Sequence, residues 1–400
     1  MALHCRCCSY GKEKRISMRI IINAINLTAA GTLTTGKQFL KALVSVDNYN
    51  EYLVVVPNGY GFEDIYCNGN FRFKFYPRIK GFYRFWRVYQ DILGFRGLVH
   101  EFKADAVLAL GNISPVNLGV PTLVLMRNSH YVDMSSSKNL GKIEKFIKKL
   151  EMIFFYMTTK QADLFIVQSE YMRKRLSEKW LVSNDIIKII PNALSDNIKL
   201  YGVKPISMTR LIPDIYDSNF KVLYVSRYYP HKNHSFIIEI AKYFQNKNIK
   251  NIVFFLTLDE KINGVKKLLN EINKNNLNDY IYNIGEVLQS ELINWYKYSD
   301  LLFFPSDFES FGNAFIEAMN FGLPICAVNL SYAKSICQNA ALYYKQNSVE
   351  DAARKILMIK SNSDFRAKMS DKSRERLTAF PSWEEVARQY LHTIKEIVNR

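Results

Sequence analysis

Four side chains have the residue types and spacing of an anion- and sugar-binding site: Arg227, Lys232, Glu309 and Glu317. In VSRYYPHKNHSFIIEIA (225–241) a strand-like run ends at Ser226, and Arg227 and Lys232 occupy the loop before a helical pattern. Two cations at the carboxyl end of a strand can neutralise a diphosphate. Taken alone, the pair fits solvated loop charges better. In PSDFESFGNAFIEAMNFGLPICA (305–327), Glu309 precedes a helix start near Gly312 or Asn313, and Glu317 lies inside that helix, an E-x7-E spacing. A helix amino end carries unpaired N–H groups and a partial positive charge, which suits a phosphate. Glycine at 312 lets a ligand approach the backbone. Flanking carboxylates can accept hydrogen bonds from sugar or ribose hydroxyls. Glutamates favoured by the helix dipole are the equally plain reading.

Two further patterns point elsewhere and are set aside. GTLTTGKQ (31–38) approximates a phosphate-cradling G-x4-G-K-[ST] loop. Gln38 stands where a hydroxyl would ligate Mg²⁺, the preceding strand ends well before Gly31, and no apolar strand ending in Asp follows. His231 and His234 flank Lys232 without acidic or Cys companions, so no metal site is expected.

These residues need a scaffold of alternating strands and helices. MRIIINAIN begins at Met18, and EYLVVVP (51–57), ADAVLAL (104–110), PTLVLMR (121–127) and ADLFIVQS (162–169) follow. Short continuous apolar runs suit strands buried on both faces of a parallel sheet. A loop carrying Gly31 and Gly36 is expected after the first, then a helix over QFLKALVSV. The pattern restarts after an aperiodic linker at 195–219, with runs opening at 220, 251, 280, 300, 323 and 341. SWEEVARQYLHTIKEIVNR closes the chain as one amphipathic helix with Ser382 as N-cap. The expectation is an α/β protein of two Rossmann-like doubly wound domains, 18–205 and 218–381, facing a cleft, followed by helix 382–400. Ligands in such sheets bind beyond the carboxyl ends of the strands.

Composition narrows the class. The chain has 400 residues, 48% hydrophobic, with 54 Lys+Arg against 37 Asp+Glu and a formal charge of +17. That excludes disordered and low-complexity classes. No apolar run reaches the roughly 18–20 residues of a membrane-spanning helix. Residues 1–17 lack an apolar h-region and read as an unstructured extension, with Met18 as an alternative start. Six cysteines without framework spacing fit a reducing, cytoplasmic compartment.

The order and spacing of these motifs resemble the retaining family 4 glycosyltransferases of the GT-B fold, from Met18 to Arg400. The resemblance is carried by R227-x4-K232 after a strand, by ESFGNAFIEAM running into FGLP, by IIPNALSD (189–196) and by FPSWEEVARQY (380–390). Ala193 replaces the glycine usual in IIPNALSD. The resemblance implies that Glu317 holds the ribose, Glu309 the transferred sugar, and Arg227 and Lys232 the diphosphate, helped by the amides of Phe311, Gly312 and Asn313. Gly285 and Val287 match the segment lining the base, and Gly31 and Thr32 the glycine loop of the first domain. His130 resembles a histidine beside the donor sugar. A lone His is as often a structural hydrogen bonder. The implied reaction moves a sugar from a UDP- or GDP-linked donor to a lipid-linked glycan, with retention, in bacterial surface-polysaccharide assembly. It uses no cofactor and no metal, and no D-x-D occurs. The alternatives are a sugar-nucleotide epimerase, a DNA glucosyltransferase or a non-catalytic binding protein.

The charge is uneven: residues 1–200 carry 28 basic and 16 acidic side chains. Much of it lies in FRFKFYPRIKGFYRFWRVYQDILGFRGLVHEFK (71–103), where Arg72, Lys74, Arg78, Lys80, Arg84 and Arg87 interleave with aromatics including Trp86. That mixture suits an anionic bilayer surface, single-stranded nucleic acid, or a core helix with outward cations. The resemblance favours the bilayer over nucleic acid, and implies a cytoplasmic protein peripheral on the inner face of the cell membrane. A second basic stretch, 138–149, could join the patch.

Overall fold

The computed structural model describes residues 17–28, 30–66, 68–77, 94–113, 115–132, 142–199, 216–288 and 291–400. The strands of the first half are β1 (Arg19–Asn23), β2 (Glu51–Pro57), β3 (Phe71–Tyr76), β4 (Ala106–Ala109), β5 (Thr122–Met126), β6 (Leu164–Val167) and β7 (Ile187–Ile189). They form a seven-stranded sheet in the order β3-β2-β1-β4-β5-β6-β7, and its strand pairs are parallel. The second half supplies β8 (Phe220–Tyr224), β9 (Ile252–Leu256), β10 (Ile281–Asn283), β11 (Leu301–Phe304), β12 (Ile325–Val328) and β13 (Ala341–Tyr344). These make a six-stranded parallel sheet in the order β10-β9-β8-β11-β12-β13.

The apolar runs become central strands because helices cover both sheet faces. Ile20, Ile21 and Ile22 are fully buried on β1, and Val222, Leu223 and Tyr224 on β8. Each such side chain contributes about 1.5–3 kcal/mol of burial. The order reverses beside β1 and beside β8, which opens a crevice at the carboxyl edge of each sheet.

The chain passes between domains near residue 194: Ala193 packs in the core of the first domain, Leu194 and Ile198 in that of the second. It returns at its end. Helix Trp383–Val398 opens with a capping box between Ser382 and Glu385. It buries Trp383, Val386, Ala387, Tyr390, Ile394 and Ile397 in the first domain's core. Their spacing of three, one, three, four and three residues puts them on one helical face. Phe39 meets Tyr390 with ring centroids 4.7 Å apart, which fixes this helix against helix Ala30–Val46.

The runs expected as strands in the second half are strands. The first sheet holds two more than the sequence suggested, β3 and β7. FRFKFY forms β3 at a sheet edge, with Arg72 and Lys74 exposed, so its alternation resembled a basic patch. β7 has only three residues. The expected glycine loop is also different: the helix already begins at Ala30, so Gly31 and Gly36 are helical. Gly36 fits there because Leu27 lies over it, 2.3 Å from where a Cβ would stand. Among the described residues no helix is long and apolar enough to cross a membrane.

Candidate active site

The site is built from two loops at the carboxyl edge of the second sheet. After β8, the chain turns through a short 3-10 segment, Pro230–Lys232, and Asn233 at φ 55° redirects it into helix His234–Asn246. After β11, residues 305–312 lead into helix Asn313–Asn320. Hydrogen bonds hold the loops together. The Tyr224 hydroxyl donates to the Lys232 carbonyl (2.7 Å) and lies 3.0 Å from the Ser306 hydroxyl. The Asp307 amide donates to the His231 carbonyl at 2.8 Å.

On this frame Lys232 and Glu309 form an ion pair, with only 18% and 12% of their side chains exposed. Arg227 lies further out, 3.5 Å from Glu286, which follows Gly285. Gly285 has φ 84° and open space where a Cβ would point. Val287 packs at the border of the core. Gly312 caps the helix at φ 81°, and a Cβ there would come within 2.9 Å of the Phe315 ring. Both constraints favour glycine. Phe311 is buried against Phe380. Glu317 is buried and accepts a 2.7 Å hydrogen bond from the Tyr296 hydroxyl. Burial pushes its carboxyl above the usual range, and the Tyr296 bond opposes this.

The first domain closes over these loops. His130, in the turn after β5, meets the His231 ring at 4.9 Å and the Phe308 ring at 4.9 Å. His231 stacks on Phe308 at 4.5 Å. Burial, with the charges of Lys232, His130 and His234, depresses His231 to a pKa of about 3, so it is neutral at physiological pH. Asn192 donates to the Asn313 side chain (3.0 Å), and Ser169 donates to the Ser310 carbonyl (2.9 Å). The six expected residues Arg227, Lys232, Glu309, Phe311, Gly312 and Asn313 thus share two adjoining loops, with His130 opposite. Gly31 and Thr32 lie in the first turn of helix Ala30–Val46, where Thr35 donates to both carbonyls.

Arg72 and Lys74 stand exposed on β3. Arg78, Lys80, Arg84, Trp86 and Arg87 lie outside the described residues. Asn192 was within reach of the sequence, because IIPNALSD contains it. Tyr296 and Phe308 carried no signal in their spacing, and His231 stood out only as a histidine flanking Lys232. Among the described residues no cluster of His, Cys, Asp and Glu could hold a metal ion.

Two family models match in tandem: Glycosyltransferase Family 4 over residues 34–197, and Glycosyl transferases group 1 over residues 209–376. The chain belongs to the family 4-like glycosyltransferases of the GT-B fold. An uncharacterized glycosyltransferase of Methanocaldococcus jannaschii is 23% identical over 240 residues, 58% of this chain and 57% of the relative. The Escherichia coli UDP-Gal:alpha-D-GlcNAc-diphosphoundecaprenol alpha-1,3-galactosyltransferase is 25% identical over 248 residues, 60% of each chain. The chain therefore aligns with little more than half the length of these relatives. Anabaena HepE, solved in complex with UDP-glucose, superposes with a TM-score of 0.71 at 15% identity, over 95% of this chain and 100% of the other. The second matched region contains the whole six-stranded sheet and the first contains the seven-stranded sheet except for β1, and the loops described above lie where the sheets' carboxyl edges meet.

Proposed function

We propose that the protein transfers a sugar from a nucleotide-sugar donor to a glycan acceptor in bacterial polysaccharide biosynthesis. The observation that carries this reading is the enclosed Lys232–Glu309 pair at the mouth of helix Asn313–Asn320, facing His130 across the cleft. Loss of a nucleoside diphosphate builds negative charge on the leaving oxygen. Lys232, Arg227 and the amides at Phe311, Gly312 and Asn313 stabilise that charge electrostatically. Glu317 takes the ribose hydroxyls and Glu309 the sugar hydroxyls, while Gly285 and Val287 border the base. Gly31 and Thr32 approach the diphosphate from the first domain. The acceptor attacks from the face the leaving group occupies, so the anomeric configuration is retained and no metal takes part.

The UDP-glucose complex of HepE supports a UDP-sugar donor, and the name of the E. coli relative supports a lipid diphosphate-linked acceptor. The excess of positive charge in residues 1–200 supports a place on the inner face of the cell membrane. The test is a transfer assay with UDP- and GDP-sugars and a polyprenyl diphosphate-linked sugar, read by mass spectrometry. The product's anomeric configuration is read by NMR, and a parallel reaction contains EDTA. Absence of transfer, together with no thermal stabilisation by any nucleotide sugar, would refute the reading.

A further inference from the structure

Arg127 carries a charge that no carboxylate among the described residues neutralises through an ion pair. It follows β5 at the carboxyl edge of the first sheet, three residues before His130. Its Nη1 donates to the Thr32 carbonyl (3.2 Å) and to the Thr35 hydroxyl (3.0 Å). Its Nε is buried without a hydrogen-bond partner. Among the described residues no Asp or Glu forms an ion pair with it; the neighbouring ionisable group is the Tyr390 phenol. Burial draws the guanidinium down to a pKa of about 10, and it stays charged at neutral pH.

An enclosed cation without a counter-charge is costly, and removing a guanidinium's proton is no escape at physiological pH. Anchoring the helix does not explain the residue. Thr32 and Thr35 offer neutral acceptors that an uncharged amide would satisfy as well. The turn is also held rigidly. Asn112 accepts from the amides of Arg127 (2.7 Å) and Asn128 (2.8 Å), and Asn128 accepts from the His130 amide (3.0 Å). Arg127 is therefore fixed by the same turn that brings His130 against His231 and Phe308. The residue keeps partial exposure.

We propose that Arg127 is an anion-binding residue of the first domain that takes a phosphoryl oxygen of a substrate. Two sources share this chemistry, the donor's diphosphate and a phosphate of the acceptor's lipid link. Naming them rests on the glycosyltransferase reading; the anion site itself does not. The site would complement the cations of the second domain across the cleft.

The test uses the full chain and Arg127→Gln, which keeps a donor for Thr32 and removes the charge. Inorganic pyrophosphate, UDP, GDP and farnesyl phosphate are titrated by calorimetry. The wild type should bind pyrophosphate, and the variant should bind at least one probe about 10-fold more weakly. Arg127→Lys should recover part of that loss. Weakened UDP or GDP binding assigns the donor, and weakened farnesyl phosphate binding the acceptor. Affinities within about twofold of wild type for every probe would overturn the proposal, as would a wild type that binds none of them. In case the variant does not fold, wild-type Arg127 is followed by phenylglyoxal modification and peptide mass spectrometry. Pyrophosphate should slow the modification, and equal rates would overturn the proposal. Anion binding without sugar transfer would count against the proposed function and leave this site intact.

Discussion

Replacing Lys232 and Glu309 singly and together separates what the pair does for the fold from what it does for the reaction. Lys232→Met leaves the Glu309 carboxylate in a setting where only 12% of its side chain is exposed. Breaking a buried pair by removing one partner costs about 3–5 kcal/mol, and the residual exposure argues for about 3. For a domain of 150–250 residues each kcal/mol is worth about 2–4 °C, so the melting point should fall by about 6–12 °C. Glu309→Gln strands the ammonium instead and should cost a similar amount. The double variant buries neither charge and should melt within a few degrees of wild type. Its turnover should not recover. Removing one group that stabilises a developing oxyanion costs about 10²–10³ in rate, and restoring the fold does not replace it. The assays are differential scanning fluorimetry and sugar transfer at saturating donor. A double variant that regains turnover to within about tenfold of wild type would refute the electrostatic role of Lys232. A Lys232→Met protein melting at the wild-type temperature would refute the burial argument.

Three further outcomes follow from the same region. Glu317 has its folded pKa raised by burial, so its ionisation destabilises the fold above that pKa and costs nothing once pH falls below its unfolded value. Glu317→Gln should therefore gain melting temperature over wild type at pH 7.5 but not at pH 4, while its donor KM rises; equal gains at both pH values would contradict the burial argument. His234 is buried with both ring nitrogens unpartnered, and burial, aided by the Lys232 charge, lowers its pKa to about 3. The unfolded chain takes up the proton first, so stability is full above the unfolded pKa and is lost as pH falls through it; in melting curves from pH 7.5 to 5, His234→Phe should be more stable and lose less than wild type. Gly312→Ala forces a Cβ into Phe315 at φ 81° and should cost about 1–3 kcal/mol and weaken donor binding, read by thermal melts and calorimetry.

The sequence made the scaffold legible where side-chain pattern and burial coincide. Ile20–Ile22 and Leu301–Phe304 are apolar because both faces of their strands are covered, and such runs can be read from composition. β3 was not legible, because an edge strand exposes one face and its cations hide the alternation. Glu309 and Lys232 could be nominated as site residues, but not as partners: 77 residues separate them, and only the adjacency of β8 and β11 brings their loops together. Arg127 escaped notice because its meaning lies in the absence of a counter-charge among the described residues, which a linear sequence does not display.

The membrane reading rests on residues 71–103, of which 78–93 lie outside the described residues, and a second surface also suits it. Arg72 and Lys74 project from an edge strand, where cations also discourage strand-to-strand aggregation, so they are explained without a bilayer. Helix Lys142–Thr159 is harder to explain that way. Leu150, Ile153 and Met157 share one face by spacing, and they and Tyr156 are 50, 48, 53 and 48% exposed. Lys149 and Lys160 are exposed beside them. Beneath this face Phe155 is fully buried and stacks on Tyr131, the neighbour of His130. An anionic bilayer fits an apolar stripe with a cationic rim, and it would present a lipid-linked acceptor on the side of the first domain that carries His130. Inserting each half-exposed side chain is worth about 1 kcal/mol. Leu150→Glu with Ile153→Glu should therefore weaken sedimentation with phosphatidylglycerol vesicles by more than about tenfold. Neutral vesicles should bind the wild type weakly. If Arg72→Glu with Lys74→Glu abolishes binding while the helix variant sediments as wild type, the edge strand is the membrane contact and the helix argument fails.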